Sequence, residues 1–482
     1  MLSNKFSLKK HLFIALALGL LLRTLTAYFD YGPFALDDYL HGLIPAYLLE
    51  NYGEHLLPEY RSWFLVWMLS GFLKLCNCFG VSDSLTQIRI MLTGLGVISL
   101  TAIVGCYLYV KNFDNKRFQL AALYLVSIYP LMLLVSTRAF GEAVSMSFLL
   151  FGIGISENAR FNKKSLSFVI GMIILGVACL LRFQVAVFWL AYAICLLIIN
   201  WRYFLPKILI SGVIVILLQG IIDFSSSRTI FSTIIAYLQA NEGGAAGYGV
   251  TRWYSTWLLI LAFVLAPFSL PLFKNFKSLL SSHWVIFIPF FLFVLAHSIV
   301  PHKEERFMFP IVGVELIFLA WLWMSNYQKN LSTKIFNWTI GCLGIIALFV
   351  VCFVNFQSGA VDPMFKAKAN EIDTLVLADE WNTWDGFYPI LLTKNSKVEQ
   401  VDIKNQASYD VFRDAANNFR QIIVVSSNPD LSSSINNISN NGLWNFKCSN
   451  IYEATSLVDE IAYKLNPKHN KRRAPVQYIV CQ

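Results

Sequence analysis

Between two apolar runs, roughly 284–300 and 308–324, lies Ser298-Ile-Val-Pro301-His302-Lys303-Glu304-Glu305-Arg306-Phe307. Consecutive ionisable side chains beside membrane-length apolar sequence are costly near lipid, and such placements mark functional sites. His302 and Arg306 stand four apart, so a helix beginning here sets them on one face with Lys303 beside them. The result is a compact cationic cluster at a membrane surface, flanked by Glu304 and Glu305. A hairpin turn whose charges mark the interface is the plain alternative. A second cluster is Asp37-Asp38, in Phe34-Ala-Leu-Asp-Asp-Tyr-Leu-His41. Repulsion between neighbouring carboxylates, with partial burial, raises one pKa and suits a general base. Asp is equally at home as a helix N-cap, and residue types alone leave both readings open.

The elements that must carry these clusters follow from composition. With 482 residues, 56% hydrophobic and only 14% charged, the chain is too apolar for an ordinary soluble enzyme and reads as a polytopic α-helical membrane protein. The formal charge of +9 reflects short basic loops, not a nucleic-acid surface, since no basic patch carries interleaved aromatics. Neither a Walker loop nor a GxGxxG turn is present. Seven cysteines (Cys76, Cys78, Cys106, Cys179, Cys195, Cys342 and Cys352) lie in or beside apolar segments and read as small buried hydrophobes. Cys76-Asn-Cys78 lacks metal-site spacing.

Lys5, Lys9 and Lys10 precede an apolar run at 11–29 that lacks a small-x-small cleavage site, so it reads as a first span with a cytoplasmic start. Further spans are expected near 85–110, 118–136, 140–156, 165–182, 184–200, 205–222, 254–273, 284–300, 308–325 and 335–356. About eleven transmembrane helices result. Alternation puts every basic loop inside and nearly all acids outside. The His302–Arg306 turn, the first loop 30–84 and the tail are then external. Residues 63–75 of that loop read as an interfacial or re-entrant helix. A transmembrane catalytic domain over 1–358 is followed by an external soluble α/β domain over 359–482. The tail has β-like runs at 373–377, 397–403, 420–426 and 476–481, with helical patterning near 409–419 and 456–465. Cys448 and Cys481 stand in this external tail, where a disulfide would close a loop of about 34 residues worth ~3–4 kcal/mol.

Pro301-His-Lys-Glu-Glu-Arg-Phe307 resembles the HKExRF signature of glycosyltransferase family 22, the GT-C mannosyltransferases of N-glycan and GPI-anchor assembly with their bacterial relatives. Other stretches are similar to family motifs in the same order: Asp37-Asp38, Tyr52-Gly53-Glu54, Glu59-Tyr60-Arg61-Ser62, Ser136-Thr137-Arg138, Leu181-Arg182-Phe183 and Asn241…Tyr248-Gly249…Trp253-Tyr254. Departures are Asp38 in place of the usual Glu, Ile44 where a further first-loop Glu is expected, Glu-Tyr contiguous with Arg-Ser, and Leu-Arg-Phe in place of Leu-Arg-Pro. The resemblance implies an inverting transfer of one mannose from a polyprenyl-phosphate donor to a glycan or glycolipid acceptor at the external membrane face. That face is periplasmic in a bacterial inner membrane, or lumenal in an ER membrane.

On this resemblance Asp37 is expected to be the base, with Asp38 as its pKa-raising neighbour or as a contact to the donor sugar. His302, Lys303 and Arg306 hold the donor phosphate, supported by Arg138 and Arg182. Glu59, Arg61, Glu142, Tyr248, Trp253, Tyr254, Glu304 and Glu305 line the substrates. No cofactor or metal is expected, because the cations take the leaving group's charge. A glycolipid transporter or flippase would carry its charges at mid-membrane, not in outer loops. A lipid-glycan ligase or oligosaccharyltransferase would share the first-loop acids but not the HKExRF signature.

Overall fold

The computed structural model describes residues 7–243, 249–266, 268–325, 327, 330–363, 365, 374–377, 397–400, 422–426, 452–467 and 473–481. Tyr248, Cys448 and the helical patterning near 409–419 lie outside the described residues. The chain divides into two compact units. One comprises Met1–Tyr28, Leu57–Met68 and Leu92–Phe353; the other comprises Phe29–Leu56, Leu69–Met91 and Val354–Gln482.

The first unit is helical throughout. Its elements are α1 (Leu8–Phe29), continuing into the second unit at its last residue, followed after the first loop by part of α3 (Phe64–Cys78) and α4 (Ser84–Val110). A short α2 (Ile44–Tyr52) belongs to the second unit. Next come α5 (Lys116–Ile128), α6 (Pro130–Ser136), α7 (Gly141–Phe161), α8 (Ser165–Leu181) and α9 (Ala186–Ser225). The series ends with α10 (Ser232–Gly243), α11 (Ser255–Phe263), α12 (Phe276–Ile299), α13 (Val312–Met324) and α14 (Leu331–Phe353).

Among the described residues, six elements are long and apolar enough to cross a membrane, or seven when α5 and α6, bent by 46°, count as one. The eleven expected runs correspond to helices of unequal length, not eleven uniform crossings. At 1.5 Å per residue α9 would be about 60 Å long, twice a bilayer's hydrocarbon thickness. Its backbone leaves the helical region at Asn200 (φ −163°, ψ 89°), which separates the two expected runs. The expected span at 254–273 is corrected: α11 holds only 9 residues, and Leu265 turns to φ 60° behind it.

Small residues let these helices approach closely, as lipid-embedded packing favours. A side chain at Gly152 on α7 would meet the Leu175 backbone nitrogen of α8 at 2.6 Å. Arg23, in the apolar body of α1, is fully buried and satisfied within the bundle: Nε donates to Ser99 Oγ at 2.6 Å and Nη1 to Ser127 O at 2.8 Å.

In the second unit the expected strands appear as β1 (Thr374–Leu377), β2 (Lys397–Gln400), β3 (Ile422–Ser426) and β5 (Val476–Cys481), with β4 (Tyr452–Ala454) not foreseen. The sheet order is β2-β1-β3-β5-β4. β1 pairs parallel with β2 and β3, whereas β5 runs antiparallel to β3 and β4. Of the parallel strands, the central β1 (TLVL) and β3 (IIVVS) are the apolar, largely β-branched ones, whereas β2 at the edge of the sheet reads KVEQ. A helix α15 (Leu457–Leu465) starts at Ser456, whose hydroxyl accepts from Asp459 N at 3.1 Å.

Candidate active site

The turn after α12 is not the start of a helix. Val300 is extended (φ −64°, ψ 133°), Glu304 is extended again, and helical backbone resumes only as a 3-10 segment at Glu305–Ile311. The expected shared helix face of His302 and Arg306 is therefore corrected. What unites them is Glu304, whose Oε1 lies 2.8 Å from His302 Nε2 and whose Oε2 accepts from Arg306 Nε at 2.5 Å. His302 Nδ1 faces Gly249 O at 3.3 Å, so both ring nitrogens look at oxygen. Lys303 Nζ donates to Thr251 O (3.0 Å) and Val300 O (2.6 Å), and Thr251 N donates to Pro301 O (2.9 Å). Lys303 thus ties the segment before α11 to the turn, and desolvation lowers its pKa. Glu305 points to solvent.

Arg306 is buried against Phe307, its guanidinium carbon 5.6 Å from the ring centroid. Arg182, in the extended link after α8, lies over the same ring at 5.5 Å. Phe307 is therefore the common floor of two guanidinium groups, a role its place in the motif did not reveal. Arg182 Nη2 pairs with Glu142 Oε1 at 3.0 Å, and Glu142 is fully buried in the first turn of α7, where the helix dipole favours a carboxylate. Gly141 makes this approach possible, because any side chain there would collide with Leu181 O. Arg138 precedes α7 in the buried turn after α6. Burial lowers the Arg182 pKa, Glu142 opposes that, and the charges of Arg61 and Arg306 lower it again. The guanidinium groups of Arg61 and Arg306 thus sit within electrostatic reach of Arg182, with the buried Glu142 carboxylate against it.

Arg61 reaches this cluster because the loop that carries it is held from behind. Arg228, just after α9, donates Nη1 to Glu59 O (3.1 Å), Arg61 O (2.8 Å) and Thr233 Oγ1 (3.1 Å). Its Nη2 donates to Leu57 O (2.9 Å) and Pro58 O (3.1 Å). The guanidinium also faces the buried Trp63 ring, 5.7 Å from its centroid. Thr233 in turn donates to the buried Asp223 at 2.5 Å. Sequence reasoning missed Arg228 entirely, since nothing in its neighbourhood signals a partner some 170 positions away. Glu59 itself is exposed. Trp253 is exposed and packs edge-on against Tyr254, whose hydroxyl accepts from Arg252 Nη1 at 2.7 Å.

In the second unit the adjacent carboxylates part company. Asp38 is buried, and its Oδ2 accepts from Phe34 N at 2.7 Å, closing the turn that precedes it, so the expected N-cap bond to the following helix is not made. Asp37 is partly exposed and its Oδ2 lies 3.1 Å from His41 Nδ1, one turn on. A π-helical turn at Tyr39–Leu43 carries that histidine. The two carboxylates thus make different contacts, Asp38 with backbone and Asp37 with an imidazole. Asp37 keeps an accessible carboxylate beside an imidazole, the arrangement a proton acceptor needs.

The family model of the Alg9-like mannosyltransferases matches residues 45–376. No curated protein matches the chain in sequence. Among solved structures, ArnT from Cupriavidus metallidurans bound to undecaprenyl phosphate is similar with a TM-score of 0.57 at 11% identity, covering 97% of each chain. The same enzyme in the apo state gives 0.56. The Archaeoglobus fulgidus oligosaccharyltransferase tethered with an acceptor peptide gives 0.49 at 12% identity, over 92% of this chain and 69% of that one. At such identities the likeness to ArnT speaks for the fold alone.

Proposed function

The chain belongs to the Alg9-like mannosyltransferase family, and from that premise we propose that this membrane glycosyltransferase moves one mannose from a polyprenyl-phosphate donor to a glycan or glycolipid acceptor. The observation that carries the reading is the cationic cluster Arg61, Arg182 and Arg306. Like charges are gathered there, with Glu142 on Arg182 and Glu304 on Arg306, and the mutual repulsion of the guanidinium groups favours an incoming anion. A sugar phosphate leaving group is such an anion, gaining charge as the bond to C1 breaks. Planar guanidinium groups suit it better than ammonium groups do. ArnT, which shares the fold, was solved with undecaprenyl phosphate, a compound of the same class as that leaving group.

On this reading the acceptor hydroxyl attacks C1 from the face opposite the phosphate, and the configuration inverts. Asp37 takes the hydroxyl proton as the new C–O bond forms, with His41 orienting its carboxylate. The phosphate departs with the old bonding pair, and Arg306, Arg182 and His302 meet its second charge. Lys303 acts chiefly as a tie between turn and loop, and Trp253 and Tyr254 offer ring faces to the sugars. The guanidinium groups do the work a divalent ion does elsewhere, so no metal enters the scheme. The external face is periplasmic for a bacterial inner membrane.

The test is an assay of purified protein with a panel of polyprenyl-phosphate sugars and a mixed glycolipid acceptor, with and without EDTA. Mannosyl transfer unaffected by the chelator is expected. Transfer of another sugar alone, or activity lost to EDTA and restored by Mg²⁺ or Mn²⁺, would overturn the donor or the metal-free scheme respectively. A reporter fused after residue 360 should read as external.

A further inference from the structure

Directly after α14, residues 355–357 lead into the tail, and with 29–56 they fall in the second compact unit. All three are hydrogen-bonded to the stretch that runs up to Asp37-Asp38. Asn355 Oδ1 accepts from Gly32 N at 2.7 Å, Phe356 N donates to Asp30 Oδ1 at 3.0 Å, and Gln357 Nε2 donates to Phe34 O at 3.0 Å. Glycine is required at 32, because any side chain there would collide with Phe356 O. Phe34 is thereby gripped twice, its carbonyl by Gln357 and its N–H by Asp38. The turn so held carries Asp37 and leads to the His41 that faces it.

Gln357 occupies a conformation that most side chains avoid. Its backbone is left-handed (φ 50°, ψ 36°), and the residue is buried. Asn suits such backbone better, yet its amide would end one methylene short of the Phe34 carbonyl. The backbone is pinned from the tail. Gln357 N donates to Asp459 Oδ2 at 2.6 Å, and Asp459 lies buried in the first turn of α15. Ser456 Oγ donates to the same oxygen at 2.6 Å, and Arg473 Nη1 lies 3.4 Å from Oδ1, so the acceptor is fixed independently of Gln357. A left-handed residue other than glycine persists where its surroundings over-determine it, and such positions gather at functional sites. Here one residue links α15 to the turn of the acidic pair, 323 positions away on one side and 102 on the other.

We propose that Gln357 is a positioning residue for Asp37: it couples α15 of the tail to the first-loop turn, so that the tail holds the carboxylate that takes the acceptor's proton. This rests on the assignment of Asp37 as base. Gln357 acts through Phe34 and the turn, so its loss lowers turnover without weakening the donor.

The test combines transfer from polyprenyl-phosphate mannose with amide hydrogen exchange, both on the purified full chain. Gln357→Met should lower kcat about tenfold, the scale of one lost hydrogen bond, with the donor's KM unchanged. Exchange over 31–40 should accelerate by about the same factor. Gln357→Asn should keep the wild-type melting temperature yet lose as much kcat as Gln357→Met, and it carries the test if Gln357→Met fails to fold. Asp459→Ala, which frees the Gln357 N–H, should lower kcat and accelerate 31–40 in the same way. Lys464→Gln, at an exposed position of α15, should change neither. In the Asp37→Asn background Gln357→Met should cost nothing further, since the group it positions is gone. Normal kcat in Gln357→Asn, unchanged exchange over 31–40, or an undiminished loss in the Asp37→Asn background would overturn the positioning role. Normal turnover in Asp459→Ala would do the same for the part played by the tail. Near-normal turnover of Asp37→Asn alone would remove Asp37 as base and this inference with it, a failure read from a separate variant and so distinct from the others.

Discussion

Arg228 offers the sharpest test of how the first loop is set. Two of its nitrogens serve five acceptors between 2.8 and 3.1 Å, four of them carbonyls of residues 57–61. A hydrogen bond from a charged donor contributes about 1.5–3 kcal/mol. Water can reach these carbonyls once the loop is released, and the donors are shared, so two bonds at the low end are a fair total, about 3 kcal/mol. That corresponds to about a hundredfold shift between anchored and released loop. Arg228→Met keeps an unbranched aliphatic side chain and removes the donors along with the guanidinium facing Trp63. Amide hydrogen exchange over 57–62 should accelerate by up to about a hundredfold while exchange in α7 and α8 stays unchanged. Because Arg228 acts through the position of Arg61, transfer measured as kcat/KM should fall about 10–100-fold. The double variant Arg228→Met/Arg61→Met should be no worse than Arg61→Met alone. Arg228→Lys, with one compact ammonium group, should recover part of the loss. Additive losses in the double variant, or unchanged exchange at 57–62, would refute the idea that Arg228 works by holding Arg61.

Asp37→Asn should lower kcat by about 10²–10⁴ with donor affinity kept, because proton removal matters only in the transition state. Asp38→Ala should instead cost stability, about 1–2 kcal/mol from the lost turn closure at Phe34 N, read as a lower melting temperature. A dead Asp38→Asn beside a near-normal Asp37→Asn would exchange the two roles. Arg306→Ala should weaken both donor binding and rate. Arg306→Lys should recover only part, since an ammonium group does not lie flat on Phe307 while bridging Glu304. In the second unit, burial pushes the Asp362 carboxyl up to about 6 from its ordinary 3.8, against the opposing pulls of the Tyr31 hydroxyl and Arg89. The folded chain then holds a proton that the unfolded chain releases, so this contribution is complete below about pH 4 and is lost as pH rises through about 6. Melting curves across that window should fall for the wild type and be flatter for Asp362→Asn; parallel slopes would remove the assignment.

The amino-acid sequence alone determined the class of this protein and the order of its motifs along the chain. Apolar runs of about 20 residues declare membrane helices because the bilayer is the solvent and its thickness is known. β-branched runs near 374, 422 and 476 declared strands of the tail, since alternation and branching act over a few neighbouring residues. The motif from Pro301 to Phe307 is likewise contiguous and could be read as it stands. Tertiary structure decided the partnerships. His302 and Arg306 meet through Glu304 because the backbone there is extended, although their spacing suited a helix just as well. Glu142 meets Arg182 because Gly141 lets α7 start against the end of α8. Arg228 finds the carbonyls of 57–61, and Asp38 turns to the backbone while Asp37 turns to His41. A side chain's type states which bonds it can make, but its partner is whichever group the packing of distant helices brings within about 3 Å.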